Sequence, residues 1–525
     1  RLDIIGDQNL RKLLHEKVKL HPDKTFLIFE DKAGTTTDLT YKEFADKVNR
    51  LSHVFRDIGV MKGNHITLHL PNSLDFLISW FAIASIGAIM VPTNTLSTPD
   101  EMEYILNHSE SVLLITEEEY LNKFTFIRGN LPHLKNILLA RYTGEEFRVL
   151  SIDYLMAQAK SNLPDIPLFA DDVASMLYTS GTTSKPKGVQ VTHANYIFTG
   201  EVMSKSIRLS PSDRQFLVLP LFHGNAQYYS TMSALVVGAS IALTERFSAS
   251  RYFKQAIKLQ ATVGSLFAAP IRMILAQNYD LEDIHNSLRL IWYAQTLPEK
   301  QIDEFQSKYN VSLLQLYGMT ETIGVPLMNP IDGLRKNLSI GKPTIGYEVA
   351  LVDKDGNEVS TNQVGQIIVK GVPGRTLMKG YFKNPEATAD TLHNGWLYTG
   401  DNALIDDEGY FYFVDRIKDM IKRSGENIAA NEVESKLTLH PAVYDAAVIG
   451  VPDSMRDEAI IAFVIVHENQ TVSQEELITH CKEKLAKFKV PSEIHIISEF
   501  PRTSVGKIQK NILKDDYLKK LNTSI

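Results

Sequence analysis

Short apolar runs rich in β-branched residues alternate with longer amphipathic stretches through the first two thirds of the chain. The runs include "SVLLIT", "NILLA", "SIALTE" and "SLLQLYG", and the stretches include "YKEFADKVNRLSHVFRDIG" and "PDEMEYILNHS". Strands that alternate with helices in this way form βαβ units, in which a crossover helix lets the strands run parallel. The pattern predicts an α/β fold with largely parallel sheets.

The pattern changes near Tyr347, where strand-like segments follow one another closely. "YEVALVD", "GQIIVKG" and "GYFYFVDR" are separated by the turn sequences "KDGN" and "DDEG", which is typical of strands joined by short connections. We predict a β-rich subdomain over about residues 340–417. Strand and helix patterns alternate again beyond it, so a small, mobile α+β C-terminal domain (418–525) is expected after a large N-terminal domain (1–417).

The most apolar segment runs from Phe76 to Val91 and has sixteen uncharged residues, fewer than the ~20 that a membrane-spanning helix needs. We interpret it as a buried helix that runs into a strand. The chain has 525 residues, a formal net charge of −7 and one cysteine, Cys481. We therefore expect a multi-domain cytoplasmic protein without disulfides, without a membrane span and without an electrostatic preference for nucleic acid.

The segment Tyr178 to Val189, "YTSGTTSKPKGV", combines glycines, hydroxyl side chains and Lys187. Glycines let backbone N–H groups approach an anion, hydroxyls add donors and lysine adds positive charge, so the composition suits a phosphate-binding loop. A solvated turn has the same composition, and these residues alone leave both interpretations open. The spacing excludes a Walker A loop, because no Gly-Lys-Ser/Thr follows a glycine at the required distance.

Four further clusters carry candidate chemistry, and each has a structural alternative. Thr320 and Glu321 in "LYGMTET" could bind a phosphate oxygen and Mg²⁺, or simply end a strand. Asp401 in "GWLYTGD" could accept ribose hydroxyls, or stabilise a turn. Arg416 in "VDRIKDMIKRSGENI" could form a surface ion pair, and Lys507 in "FPRTSVGKIQK" is an ordinary loop lysine when taken alone.

In this order, the clusters resemble those of the acyl-adenylate-forming superfamily, which includes acyl-CoA synthetases, adenylation domains of non-ribosomal peptide synthetases and firefly luciferase. The resemblance covers essentially the whole chain, from "GAIMVPTN" through "YTSGTTSKPKGV", "YGMTET", "GYFKNPEAT", "WLYTGD" and "GYFYFVDRIKDMIKRSGENI" to "KFKVP" and "PRTSVGKIQK". Within the superfamily, "DRIKDMIKRSGENI" and "DSMRDEAIIAFVIV" are most similar to bacterial ligases that join crotonobetaine or carnitine to coenzyme A.

The resemblance implies an ATP- and Mg²⁺-dependent ligase that forms an acyl-adenylate and then transfers the acyl group to coenzyme A. Its small carboxylic acid substrate would be crotonobetaine, carnitine or a related betaine, with a medium-chain or aromatic acid as the alternative. The competing classes are a Walker-type ATPase and a nucleotide-binding regulator without turnover, and retention of Glu321, Lys507 and the full loop argues against the regulator. The sequence leaves the oligomeric state open, a homodimer included.

By position in the motifs, the resemblance also implies residue roles. Thr320 would contact the α-phosphate, Glu321 would bind Mg²⁺, and Lys507 would stabilise charge during adenylation. His223 would flank the bound carboxylate, and Lys418 would be the hinge about which the C-terminal domain rotates. The other ATP contacts would be Thr179, Ser180, Gly181, Thr182, Thr183, Ser184 and Lys187 at the β- and γ-phosphates, Tyr317 and Gly318 at adenine, and Asp401 and Arg416 at ribose. The coenzyme A contacts would be Lys422, Ser424, Gly425 and Glu426.

The acyl pocket is expected to contain His223, Gln227, Tyr228, Trp292 and Tyr293. Aromatic rings could hold a trimethylammonium group by cation–π attraction, roughly 0.5 to 2 kcal/mol per contact, or line an apolar pocket. "HGNAQ" contains no acidic residue to pair with such a cation, and "WYAQTLP" is less glycine-rich than its usual counterpart. Ser184 and Gln366 stand where most members of the superfamily have glycine and glutamate.

Overall fold

The computed structural model describes residues 4–523 except 143, 145–149, 180–184, 280–284, 417–418, 424–425, 454–456 and 504–507. The helices are α1 (Leu10–Leu20), α2 (Tyr41–Asp57), α3 (Leu74–Ser85), α4 (Pro99–Ser109), α5 (Glu118–Ile127), α6 (Ile152–Gln158), α7 (His193–Ser206), α8 (Met232–Val237), α9 (Tyr252–Lys258), α10 (Ala268–Leu275), α11 (Glu299–Tyr309), α12 (Pro385–Thr391), α13 (Ala430–Leu437), α14 (Gln474–Lys484) and α15 (Lys510–Thr523).

The strands before residue 344 are β1 (Thr25–Glu30), β2 (Thr36–Thr40), β3 (His65–His69), β4 (Ile89–Pro92), β5 (Leu113–Thr116), β6 (Asn136–Leu139), β7 (Leu150–Ser151), β8 (Val173–Thr179), β9 (Lys187–Thr192), β10 (Arg214–Leu217), β11 (Ser240–Thr244), β12 (Val263–Phe267), β13 (Leu290–Ala294), β14 (Ser312–Tyr317), β15 (Leu327–Met328) and β16 (Lys342–Pro343). The later strands are β17 (Glu348–Val352), β18 (Gly365–Lys370), β19 (Gly380–Tyr381), β20 (Leu392–His393), β21 (Trp396–Ile405), β22 (Phe411–Arg416), β23 (Met420–Arg423), β24 (Glu426–Ala429), β25 (Val443–Asp453), β26 (Asp457–Val466) and β27 (Glu493–Ile496).

Two large sheets form the first part of the molecule. Within the described residues, one has nine strands in the order β16-β15-β14-β13-β12-β10-β11-β1-β2, and the other has eight in the order β19-β9-β8-β4-β3-β5-β6-β7. Most neighbouring strands of both sheets pair in parallel: β1 with β11 and β10 to β14 in the first sheet, and β3 to β6 with β8 in the second. The predicted α/β fold with largely parallel sheets is therefore confirmed.

The apolar segment from Phe76 to Val91 is a buried helix followed by a strand. α3 has Ser73 as its N-cap, whose side chain accepts a hydrogen bond from the Phe76 N–H. Every residue from Phe76 to Ser85 is buried, and β4 follows directly in the interior of the eight-stranded sheet. Among the described residues, no helix is long and apolar enough to cross a membrane.

Two smaller sheets follow. β17, β18, β21 and β20 form an antiparallel sheet to which β22 adds at β21, which matches the predicted β-rich subdomain. β24, β23, β26 and β25, with β27 beside β26, form the sheet of the C-terminal α+β unit. β22 ends at Arg416 and β23 begins at Met420, so the chain passes from one sheet to the next over this interval. The division into domains 1–417 and 418–525 stays a prediction.

Candidate active site

Two antiparallel strands hold the ends of the predicted phosphate loop. β8 and β9 pair so that Thr179 lies opposite Lys187, and β19 continues the sheet so that Tyr381 lies opposite Val189. The Lys187 ammonium lies 4.3 Å from the centroid of the Tyr381 ring. The structure thus brings both ends of the loop together beside Tyr381. Ser180, Gly181, Thr182, Thr183 and Ser184 lie outside the described residues.

Helix α4 contacts both ends of this loop through side chains that the sequence did not indicate. His108 Nδ1 lies 2.6 Å from the Tyr178 hydroxyl, and the Tyr104 hydroxyl donates to the Pro186 carbonyl over 2.9 Å. The spacing of four residues puts both side chains on one face of α4, and their rings stack with centroids 5.4 Å apart. Burial lowers the pKa of His108, which favours the neutral imidazole.

The turn after β14 carries Thr320 and Glu321. Glu321 is 6% exposed, and its carboxylate accepts a hydrogen bond from the Tyr381 hydroxyl over 2.8 Å. The pKa of Glu321 is raised chiefly because burial removes water from the charged form, while Tyr381 and Lys187 act in the opposite direction. A bound cation would compensate such a buried carboxylate.

These residues fit a Mg²⁺ ion that also contacts phosphate. Within the described part of the chain, no group of three or more His, Cys, Asp or Glu side chains could hold a metal ion. Mg²⁺ is commonly held by one or two carboxylates together with substrate phosphates and waters, without a protein cage. Glu321 supplies a buried carboxylate, and the half-buried Thr320 lies next to it.

The predicted adenine and ribose residues are in direct contact. Asp401 and Arg416 lie opposite each other on β21 and β22, with Arg416 Nε 3.3 Å from Asp401 Oδ1. The Tyr317 hydroxyl donates to Asp401 Oδ2 over 2.7 Å. A Cβ at Gly318 would lie 2.4 Å from the Tyr229 hydroxyl, so glycine is required there by close approach.

The predicted carboxylate side of the site lies after β10. A π-helical turn, Asn225–Thr231, follows the half-buried His223, and such turns are frequent at functional sites. Gln227 is fully buried, and its amide donates to the Leu221 carbonyl over 2.7 Å while its oxygen accepts from the Tyr196 hydroxyl over 2.5 Å. Both polar ends of Gln227 are therefore bonded to the protein itself.

Trp292 and Tyr293 are neighbours on β13, and successive residues of a strand point to opposite faces of the sheet. Trp292 belongs to the core cluster that contains Tyr228 and Tyr229, whereas Tyr293 belongs to a separate cluster with Phe305. Tyr293 therefore does not share a pocket wall with Trp292, contrary to the expectation from the sequence.

Tyr228 and Trp292 each bury a hydrogen-bond donor. The Tyr228 hydroxyl and Trp292 Nε1 have no hydrogen-bond partner among the described residues. Leaving a buried polar group unpaired costs about 1 to 3 kcal/mol. Both donors can therefore serve a polar ligand.

The predicted coenzyme A residues lie in the C-terminal unit. Lys422 has an exposed side chain on β23, and its N–H donates to the Glu458 carboxylate over 2.8 Å. The backbone of Glu426, the first residue of β24, lies opposite that of Arg423 on β23 in the antiparallel register. Lys418, Ser424, Gly425 and Lys507 lie outside the described residues.

The loop held by paired strands, the acidic turn and the buried aspartate beside an arginine define an adenylate-forming enzyme with a C-terminal domain. The chain belongs to the AMP-binding enzyme family, whose sequence model matches residues 14–382, and residues 432–507 match the AMP-binding enzyme C-terminal domain. It catalyses ATP-dependent formation of an acyl-CoA through an acyl-adenylate, with ATP, Mg²⁺ and coenzyme A. The predicted reaction class is confirmed.

Among curated relatives, the chain is 38% identical to the crotonobetaine/carnitine–CoA ligase of Proteus mirabilis (strain HI4320), over 98% of this chain and 100% of that protein. Among solved structures, it is similar to the anthranilate CoA ligase AuaEII in complex with anthranoyl-AMP, with a TM-score of 0.91, 30% identity, and coverage of 99% of this chain and 98% of that one.

The conformation is closer to that of a nucleotide-bound relative than to that of the same relative without nucleotide. ATP-bound MatB from Rhodopseudomonas palustris matches with a TM-score of 0.88 and 26% identity, and covers 97% of this chain and 99% of its own. The apo form of MatB matches with a TM-score of 0.77. Because the two forms have the same name and identity to this chain, the difference reflects conformation.

Proposed function

We propose that this enzyme converts crotonobetaine, carnitine or a related betaine into its coenzyme A thioester. The observation that carries the proposal is the 38% identity to the crotonobetaine/carnitine–CoA ligase of P. mirabilis, which extends over 98% of this chain and 100% of that protein. The likeness includes the segments that would hold the acid as well as those that would hold ATP.

Buried aromatic side chains support a betaine. Tyr228, Tyr229 and Trp292 all belong to the large buried core of the N-terminal part of the chain, in which the Tyr228 and Tyr229 ring centroids lie 6.2 Å apart. Aromatic ring faces can attract a trimethylammonium group by roughly 0.5 to 2 kcal/mol per contact. The donors of Tyr228 and Trp292 suit an oxygen of the substrate. We therefore place the acyl group beside these three residues and His223, and leave Tyr293 out of the pocket.

In the first half-reaction, a carboxylate oxygen of the acid attacks the α-phosphorus of ATP, and the bond from that phosphorus to the pyrophosphate oxygen breaks. We assign Lys187 and its loop to the departing pyrophosphate, the Thr320 hydroxyl to an α-phosphate oxygen and Asp401 to the ribose hydroxyls. Glu321 would hold Mg²⁺, which offsets phosphate charge when bound. Lys507 would contribute a positive charge where the carboxylate meets the α-phosphate.

In the second half-reaction, the thiol sulfur of coenzyme A attacks the acyl carbon, the bond to AMP breaks, and the thiol proton is released to solvent. We assign Lys418 as the hinge of the domain rotation that precedes this step. Lys422 would contact a phosphate of coenzyme A, and the segment that contains Ser424, Gly425 and Glu426 would flank the pantetheine arm.

An aromatic acid is the second candidate substrate. The observation that favours it is the TM-score of 0.91 with the anthranilate CoA ligase AuaEII in complex with anthranoyl-AMP. The same buried aromatic side chains could stack on a planar ring.

The test is acid-dependent exchange of labelled pyrophosphate into ATP with crotonobetaine, carnitine, anthranilate, cinnamate and octanoate. We expect the highest kcat/KM for one of the betaines. The matched control is the analogue of crotonobetaine in which a neutral tert-butyl group replaces trimethylammonium. Its kcat/KM should be lower by roughly tenfold or more, the scale of one to two cation–π contacts. Inert betaines beside an active aromatic or medium-chain acid would contradict the proposal.

We also infer a reducing, cytoplasmic location and leave the homodimer as a prediction. The observation behind the location is that Cys481, the one cysteine of the chain, is a buried free thiol, and burial raises its pKa to about 11. Such a thiol does not depend on an oxidising compartment.

Sedimentation of the purified protein would measure its oligomeric state.

A further inference from the structure

A strained turn of the backbone lies two residues after Glu321. Ile323 has φ 65° and ψ −68°, and the Gly324 N–H donates to the Thr322 carbonyl over 2.7 Å. A hydrogen bond between residues i and i+2 with these angles defines the rarer, strained form of the γ-turn. Positive φ is a genuine outlier for a β-branched residue such as isoleucine, so this turn needs support from its surroundings.

The hydroxyl of Tyr347 supplies that support. It donates to the Thr322 carbonyl over 2.8 Å and accepts from the Gly324 N–H over 2.8 Å. These are the same carbonyl and N–H that close the γ-turn. Tyr347 is buried, and its ring packs against Phe198 with centroids 5.3 Å apart. The hydroxyl is therefore held in place from outside the turn.

The γ-turn is continuous with the turn that presents the acidic residue. The Ile323 N–H donates to the Thr320 carbonyl over 3.3 Å, and the Met319 N–H donates to the Thr322 hydroxyl over 3.0 Å. Relaxation of Ile323 to negative φ would break the bond from the Gly324 N–H to the Thr322 carbonyl. Thr322 thus joins the two turns, because its hydroxyl bonds to Met319 and its carbonyl to Gly324. The Tyr347 hydroxyl that holds this carbonyl therefore also supports the backbone of Glu321, the preceding residue.

We propose that Tyr347 is a positioning residue that stabilises the strained turn and so aims Glu321 at Mg²⁺ and Thr320 at the α-phosphate. The inference rests on the roles proposed above for Glu321 and Thr320. Strained backbone persists only where the surrounding structure over-determines it. One buried hydroxyl bonded to both ends of the γ-turn meets that condition.

The test measures how much Mg²⁺ increases the affinity for ATP, by isothermal titration calorimetry of the full chain with no acid present. Tyr347→Phe is expected to reduce this increase at least tenfold, and its affinity for ATP in EDTA reports separately on the Thr320 contact. Tyr41→Phe is the matched control, because Tyr41 is also buried and its hydroxyl donates to a backbone carbonyl, that of Ala239, over 2.6 Å. It should retain the full increase.

An undiminished Mg²⁺ effect in Tyr347→Phe would overturn the proposal. Glu321→Gln in the same assay separates the two levels of inference. If Glu321→Gln loses the Mg²⁺ effect and Tyr347→Phe retains it, only the positioning role fails. If Glu321→Gln retains it, the metal role of Glu321 fails as well. No acid is needed, so the outcome does not depend on the proposed substrate.

Gly324→Ala tests the same hydroxyl by a second route and replaces Tyr347→Phe if that variant does not fold. A Cβ at Gly324 would lie 2.3 Å from the Tyr347 hydroxyl and would displace it. We expect Gly324→Ala to lose the Mg²⁺ effect to a similar extent, and the double variant to lose no more than Tyr347→Phe. Additive losses would show that the two residues act independently and would contradict the proposal.

Discussion

Arg272 of α10 lies 3.6 Å from Asp445 of β25, Nη2 to Oδ2, and this ion pair joins the large N-terminal part of the molecule to the C-terminal sheet. Asp445 also accepts a hydrogen bond from Arg502 over 2.5 Å. Arg502 and Ile508 form an antiparallel bridge, and Lys507 lies between them in the sequence. Asp445 therefore links the contact between the two parts to the segment that carries the predicted catalytic lysine.

Arg272→Ala is expected to slow adenylation about three- to tenfold, because a partly buried pair of this kind is worth roughly 1 kcal/mol and supports the orientation in which it forms. Thioester formation from supplied acyl-adenylate should not change. Pyrophosphate exchange and single-turnover thioester formation measure the two steps. Arg208→Ala, which removes an exposed ion pair with Asp332, is the control. Equal slowing of both steps by Arg272→Ala would contradict the assignment.

Lys507→Ala should lower the adenylation rate by roughly 10²- to 10³-fold, the scale of removing one preorganised group that stabilises developing charge. The transfer of a supplied acyl-adenylate to coenzyme A should be largely spared. Pyrophosphate exchange measures the first step, and thioester yield measures the second. A variant that exchanges pyrophosphate at the wild-type rate would remove Lys507 from the catalytic residues.

Asp401→Asn should raise the KM for ATP by roughly 10- to 100-fold, because hydrogen bonds to charged groups contribute about 1.5 to 3 kcal/mol. The measurement is pyrophosphate exchange at a series of ATP concentrations with a saturating acid. Tyr317→Phe removes the hydroxyl that donates to Asp401 and retains the carboxylate, so its effect should be smaller. An unchanged KM in Asp401→Asn would place the ribose elsewhere.

Glu321→Gln should stabilise the nucleotide-free protein at pH 7 by about 1 to 3 kcal/mol, because it removes a buried carboxylate whose charge is undercompensated. The pKa of Glu321 is raised in the folded protein by burial, so the folded state holds this proton more tightly than the unfolded state. The destabilisation of the wild-type protein by this carboxylate therefore grows as pH rises from the ordinary carboxyl range through the raised pKa. The Tm values of the wild type and of Glu321→Gln should differ at pH 7 and converge toward pH 4.5, the ordinary pKa of a glutamate. A Tm difference that stays constant across this pH range would show that burial of the Glu321 charge is not its cause.

The sequence predicted those parts of the fold and site that depend on local order. The segment from Phe76 to Val91 has sixteen uncharged, mostly apolar residues, which is too short for a membrane span, so a buried helix followed by a strand was predictable. Thr320 and Glu321, and likewise Asp401, lie next to strands whose patterns are clear. Each motif is contiguous and therefore visible in the sequence, and the resemblance of the ordered set to a known superfamily implied the roles of its residues.

Contacts between distant segments could not be predicted in this way. Tyr104 and His108 look like two core-facing residues of an amphipathic helix until the fold puts Tyr178 and Pro186 beside them. Tyr347 looks like a residue at the start of a strand, and nothing local indicates that its hydroxyl would meet the turn at Ile323.

By itself, the sequence determined the α/β class and the order of the motifs, because hydrophobic periodicity and short motifs act over a few neighbouring residues. The type of reaction followed from the resemblance of those motifs, taken in order, to the acyl-adenylate-forming superfamily. The tertiary structure decided which side chains meet. It placed Trp292 and Tyr293 on opposite faces of β13, and it brought Tyr381 to Glu321 and Arg272 to Asp445. Such contacts depend on sheet order and strand register, which join residues far apart in the chain and leave no local pattern in the sequence.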